Sequence, residues 1–407
     1  MINNKLYIFV SILILFVIGC TNDNSNLGFP GSDINNHQTV LNDSIFIDMK
    51  TYQLDIDVFP DNAKLIVGNY DSTNVRSLIR FANLPTEISL IEDPILSLYL
   101  NHQHNSENLN LKIAKLENNI FMQNYATWEK FNETEEWTQP GGDFTDSLSF
   151  TIDFDSEVDT LKISFSLPKE IFQDWIDKND IYTNYGLILY SEDAEDSFLD
   201  FYSSEAGIDL RPNVSLKYKD STNEEITDIR NVTHDTFIHN QIDEELNSEE
   251  LIISNIPPKC IYFTFDINHN DFDNLNSEEE LQKININQAQ LIFSINPETT
   301  LSYDSFLIGM GIPYDLPDIN NLSDSFDITN MWLFSSTIDY VNKEDNTLTI
   351  NITPIIQHIL SKNRPNNGIY LINNQKNMDF SHINVYGPDE DNVNLRPKIN
   401  IKYSTLD

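Results

Sequence analysis

Two tryptophans and a tyrosine offer the sharpest chemistry in this chain. Trp128 and Trp137 lie close in sequence, with Tyr125 just ahead of them. A flat ring exposed on a sheet or loop stacks on the apolar face of a sugar, so these three are candidate ligand-binding residues for a polysaccharide. The same rings can fill a core or pin a loop, because large aromatics dominate both settings. Pro140-Gly141-Gly142-Asp143 reads as a turn in which the glycines permit positive φ. Asp143 there can bond nearby amides or offer an oxygen to calcium.

The remaining polar clusters are weaker. Asp193, Glu195 and Asp196, Asp271 and Asp273, and Asp389, Glu390 and Asp391 form acidic runs without EF-hand spacing. A solvated acidic surface explains them, and calcium is the one cofactor left open. His102 and His104 alternate, which can place both on one strand face, but their polar surroundings read as a loop and a third ligand is missing nearby. Arg211 and Arg396 each precede a proline in similar settings, where a structural role bonding backbone fits better than anion recognition. The chain has no Gly-x-Ser-x-Gly elbow, His-Glu-x-x-His helix, Walker loop or Cys-His cluster. Among 64 acids some pair always falls at glycosidase distance, so carboxylate pairs discriminate nothing. The expectation is a protein that is not an enzyme.

The 407 residues carry 24 Lys plus Arg against 64 Asp plus Glu, a net charge of -40, which disfavours nucleic acid and anionic lipid headgroups as partners. Residues 1–19 pair Lys5 with an apolar run from Leu6 to Gly19, shorter than the ~20 residues that span a membrane. Val17-Ile18-Gly19-Cys20 resembles a bacterial lipobox. That resemblance implies cleavage before Cys20 and acylation there. Thr21 follows where an Asp would resemble the inner-membrane retention signal, so attachment to the outer membrane through the lipid alone is expected. Cys260 is then the only thiol left, and its setting in Lys259-Cys260-Ile261-Tyr262-Phe263 suggests burial.

The elements that must hold these groups are strands. Residues 20–43 read as acylated cysteine and flexible tether, followed by alternation of period two: Tyr52, Leu54, Ile56, Val58; Leu148, Phe150, Ile152, Phe154; Leu161, Ile163, Phe165, Leu167; Leu348, Ile350, Ile352; and Ile399, Ile401, Tyr403. Short helices are expected at 169–176 and 354–361. Both follow a strand and precede an Asn-x-Gly, as copies of one feature would. Leu210-Arg211-Pro212-Asn213-Val214 through Tyr218 aligns with Leu395-Arg396-Pro397-Lys398-Ile399 through Tyr403, and Asn184-Tyr185-Gly186-Leu187 with Asn366-Asn367-Gly368-Ile369. Ser77 to Phe81 aligns with Lys259 to Phe263, and Ile95 to Tyr99 with Gln290 to Ser294. An all-β fold of two tandem jelly-roll-like β-sandwich domains follows, 44–220 and 226–405, divided near 219–227.

The first copy resembles the DNRLRE domain family, which is similar to disaggregatase-related repeats and a carbohydrate-binding-module family. Leu65-Ile66-Val67-Gly68, Arg76 to Phe81 and Leu84-Pro85 resemble its opening strands. Ala126-Thr127-Trp128 with Trp137 to Asp143 resembles its central motif, and Phe201 to Ala206 with Arg211-Pro212 its closing strands. The second copy keeps the ends and lacks the central motif. The resemblance implies a β-sandwich of surface proteins, some linked to polysaccharide. The expected partners are an extracellular polysaccharide or, for a scaffold, another envelope protein.

Overall fold

The computed structural model describes residues 34–42, 45–54, 64–70, 72–105, 109–151, 162–178, 184–192, 196–220, 222–240, 251–301, 308–317, 330–335, 341–342, 345–363, 365–373 and 379–406. Cys20, the leader 1–19 and the start of the tether lie outside them. Half of the described residues are strand and a tenth helix, in antiparallel sheets that form an all-β sandwich fold. Alternation of β-branched and aromatic residues dictates this, since period-two patterning can bury only one face of each strand.

Two separate apolar cores mark two sandwiches. Leu65, Val67, Ile79, Leu96, Leu98, Leu111, Phe165, Leu199 and Val214 fill the first, and the helix Lys169–Lys178 plugs it with Phe172, Trp175 and Ile176. Ile253, Phe263, Leu291, Phe293, Ile350, Leu371 and Ile399 fill the second, closed by Ile355, Ile356 and Leu360 of the helix Thr353–Leu360.

The repeat recurs bond for bond. Gln173 accepts from Leu90 N and donates to Ile88 O, while Gln357 accepts from Ile286 N and donates to Ile284 O. Arg211 Nε donates to Ala206 O and Arg396 Nε to Glu390 O, so both arginines fasten backbone. Leu96 faces Val214 as Leu291 faces Ile399, in agreement with the sequence alignment. One alignment is corrected. Ile79 pairs with Leu187 and Phe263 with Ile369, so Ile79 corresponds to Phe263 rather than Ile261. A slip of two leaves every side chain on its own face, and alternation therefore cannot detect it.

The expected boundaries are also corrected. Strand Ile34–Leu41 occupies the end of the supposed tether and pairs with the final strand Lys398–Leu406, while Phe46–Gln53 pairs with Lys259–Phe265. Both N-terminal strands thus belong to the second sandwich, and Leu41, Ile45, Phe46 and Met49 enter its core. Conversely, 220–224 is no linker. Asp220 Oδ1 accepts from Thr222 N and Glu224 N in a hairpin turn leading into Glu225–Asn231, which pairs with Asn213–Lys219. His234–His239 then pairs with Thr73–Arg80 in the first sandwich. In that strand Asp235 is buried and accepts from Ser204 N at 2.6 Å and Ser204 Oγ at 2.9 Å. The strand pair ahead of each copy therefore sits in the other copy's sandwich, an exchange that interlocks the halves.

Candidate functional site

Residues 117–143 connect strands Asn110–Leu116 and Phe144–Thr151 and cover the outer face of the first sandwich. Connections longer than ~12–15 residues without regular structure are uncommon and often functional. This one carries its own small core, in which Phe121, Ala126, Phe131 and Trp137 pack on Leu78, Leu116, Ile188 and Ile238. Its shape is braced throughout. Asp143, buried at the closing turn, accepts from Gln139 N at 2.8 Å, Thr138 N at 3.0 Å and Asn119 Nδ2 at 3.3 Å. Its oxygens turn inward to the loop's own donors, as the turn reading anticipated.

The three candidate rings separate here. Trp137 is a core residue, a correction to its expected role in stacking on sugar: it is 5% exposed, tilts against Phe131 at 5.5 Å and donates from Nε1 to Thr127 O at 3.0 Å. The loop needed an anchor, and an indole supplies area plus one donor to bury with it. Trp128 is half-buried. The Arg76 guanidinium lies over its ring at 4.6 Å, and Gly141, at φ +87°, approaches the ring so closely that a Cβ there would stand 2.8 Å from it. Arg76 Nη1 also donates to Gly141 O at 2.8 Å, which ties strand, ring and turn together. Tyr125 alone of the three is exposed, at 41%, beside exposed Met122.

A second concavity lies where the sandwiches meet. It measures 400 Å³ and is lined by Tyr70, His104, Asn105 and Asp196 from the first sandwich and by Lys259, His382 and Asn384 among others from the second. His104 sits on strand Ile95–His104 rather than in the expected loop, because that strand extends to pair with Ser197–Tyr202. The rings of His102 and His104 both approach Phe198, at 6.1 and 5.3 Å, so the alternation serves aromatic packing. Burial lowers the His104 pKa, and nearby His382 adds to the effect. Among the described residues no group of three His, Cys, Asp or Glu is gathered as a metal cage. Asp271 Oδ2 caps Asn268 N, and Glu390 Oε1 accepts from Asn392 N, so these members of the acidic runs bond their own loops.

Beside the cleft the sandwiches share an apolar contact of Ile66, Val75, Phe198 and Phe237 with Ile256 and Phe380. An ion-pair group borders it. Lys64 Nζ lies 2.8 Å from Asp379 Oδ2 and 3.2 Å from Asp200 Oδ2, and both carboxylates are buried. Desolvation outweighs Lys64 and pushes the Asp200 carboxyl up to about 6. For Lys64 burial opposes the charge, but the two aspartates prevail and hold its pKa above the ordinary value. Cys260 is fully buried, and desolvation raises its thiol pKa far from the reactive range.

Comparison with known proteins adds no relative: no family model and no curated protein matches the chain. Sequence reasoning missed Arg76, whose stacking partner is remote in sequence, and most of the cleft. Of the cleft, His104 carried a signal in its alternation with His102, and Asp196 in an acidic run. Among the described residues no helix is long and apolar enough to cross a membrane.

Proposed function

We propose that the chain is an exported lipoprotein, cut before Cys20 and held at the outer membrane by acyl groups there, that binds extracellular polysaccharide without catalysis. The observation that carries this reading is the braced 117–143 platform, which carries the exposed ring of Tyr125 on the same loop as half-buried Trp128. Stacking on a sugar face loses less entropy when the supporting loop is already ordered, and Asp143, Trp137 and Arg76 brace the backbone that carries Tyr125. The likeness of the Ala126 to Asp143 motif to DNRLRE domains supports the same ligand class. A net charge of -40 favours neutral polymers, since a polyanion would need calcium to bridge like charges.

The test is affinity electrophoresis of the lipid-free protein from Asn24 onward in gels containing neutral or acidic polysaccharides, with and without calcium. Retardation by a neutral polymer is expected. It should weaken about tenfold in Tyr125→Ala, the loss of one good aromatic contact. Unchanged retardation in both Tyr125→Ala and Trp128→Ala removes the platform from the reading. A scaffold joining envelope proteins is the second reading, favoured by the strand exchange that makes the two sandwiches one interlocked unit. It predicts no retardation by any polymer and a co-purifying protein partner.

A further inference from the structure

The cleft between the sandwiches has features that packing alone does not require. Its wall carries Asn384, nine-tenths buried, whose Oδ1 is enclosed and lacks a hydrogen-bond partner. An unpaired buried acceptor is costly, and the amide gains by turning toward a donor brought into the cleft. Around it stand the half-buried ring of Tyr70, edge-on to His104 at 5.4 Å and 5.6 Å from His382, and Asn105, whose Nδ2 lies 3.2 Å from both His104 Nε2 and Asp196 O. Asn105 and Asp196 hold left-handed backbone, φ +45° and +44°, which presents two polar side chains at one rim.

We propose that this cleft is a binding site for a neutral polyhydroxylated ligand, a single sugar residue or the end of a glycan chain. The volume of 400 Å³ lies at the lower end of small-ligand pockets. The donor set selects the ligand class. A carboxylate or phosphate finds Lys259 in the wall but has no proton for Asn384 Oδ1, and it must approach through the field of a net charge of -40. An ammonium has no lone pair for the amide or imidazole donors and meets Lys259 in the wall. The His382 ring places Nε2 2.8 Å from Thr299 O and Nδ1 3.2 Å from Phe380 O. A hydroxyl both donates, to Asn384 or the Asp196 carboxylate, and accepts, from an amide or imidazole. Tyr70 supplies an aromatic wall for the apolar face of the ring. The site stands independently of the Tyr125 platform.

Imidazole resonances of the lipid-free full chain provide a local readout, titrated with glucose, galactose, mannose, xylose and N-acetylglucosamine to tens of millimolar, and with acetate. Saturable shifts of His104 and His382 are expected with at least one sugar and not with acetate. Asn384→Leu, and Asn105→Gly as a variant compatible with its backbone, should each weaken that response about tenfold. Tyr125→Ala should leave it unchanged, which separates this site from the platform. Absence of shifts with all five sugars, an equal response to acetate, or a response undiminished in both variants overturns the proposal.

Discussion

Replacing Lys64 with methionine tests how the two sandwiches are held together. The substitution keeps the stem that packs at the junction and removes the charge between Asp200 and Asp379, at 3.2 and 2.8 Å. Breaking a buried pair by removing one partner costs about 3–5 kcal/mol, because the remaining charges stay desolvated. The cost must depend on pH. Asp200 has its carboxyl raised to about 6 by burial, against 3.8 for the free side chain, so the folded state binds the extra proton below about 6. Wild-type stability is therefore fully supported by this group below about 4 and falls as the pH rises through 6. Without Lys64 the carboxyl climbs further and stays protonated at pH 7.5. Over the ~1.5 units between 6 and 7.5 the variant retains a proton that the wild type has lost, worth about 2 kcal/mol at 1.36 kcal/mol per unit. That proton offsets part of the penalty at pH 7.5 relative to the cost of ionising both buried acids unpaired, and it sets the slope. Denaturant unfolding of both proteins at several pH values from 5 to 7.5 should show wild-type stability falling toward pH 6 and levelling above it, while the variant goes on losing about 2 kcal/mol between 6 and 7.5. Parallel pH curves, or a penalty under about 1 kcal/mol at every pH, would refute the assignment of Lys64 and Asp200 as a desolvated pair.

Three further outcomes are expected. Deleting residues 34–54 removes Leu41, Ile45, Phe46 and Met49 from the second core, about 6–12 kcal/mol at ~1.5–3 per buried side chain, comparable to the whole stability of a domain. Limited proteolysis should then digest 251–406 and spare 64–240, and resistance of the C-terminal half would contradict the strand exchange. Asp143→Ala leaves Thr138 N and Gln139 N without acceptors, at about 1–3 kcal/mol. Hydrogen exchange should quicken at those two amides, and unaltered protection would show that the turn holds by other means. Gly368→Ala places a Cβ at φ +83° within the Tyr262 ring contact, for a loss of about 2–4 kcal/mol by chemical denaturation. Gly207→Ala, in open space at φ -54°, should be neutral, and equal losses at both sites would discount the clash.

The sequence by itself determined the β class, the two short helices and the repeat, because each rests on local pattern. Period-two alternation selects strands, and the paired Arg-Pro and Asn-x-Gly segments recur because each copy needs the same fastenings. Asn184 and Asn366 illustrate this, donating to the carbonyls of Phe81 and Phe265 at equivalent strand ends. Gly186 and Gly368 beside them take positive φ at matching turns. Burial of Cys260 was legible for the same reason, since it lies in an apolar strand run.

Only tertiary structure decided which sheet each strand enters. The strands Ile34–Leu41 and His234–His239 satisfy backbone hydrogen bonds in any sheet with a free edge, and nothing in their residue types states which copy's edge they meet. Burial of Trp137, stacking of Arg76 on Trp128 and convergence of Tyr70, His104 and Asn384 on one cleft were equally closed to sequence reading. These are contacts between residues far apart in the chain, fixed by how sheets pack and by the interlock of the two sandwiches, and local periodicity carries no information about either.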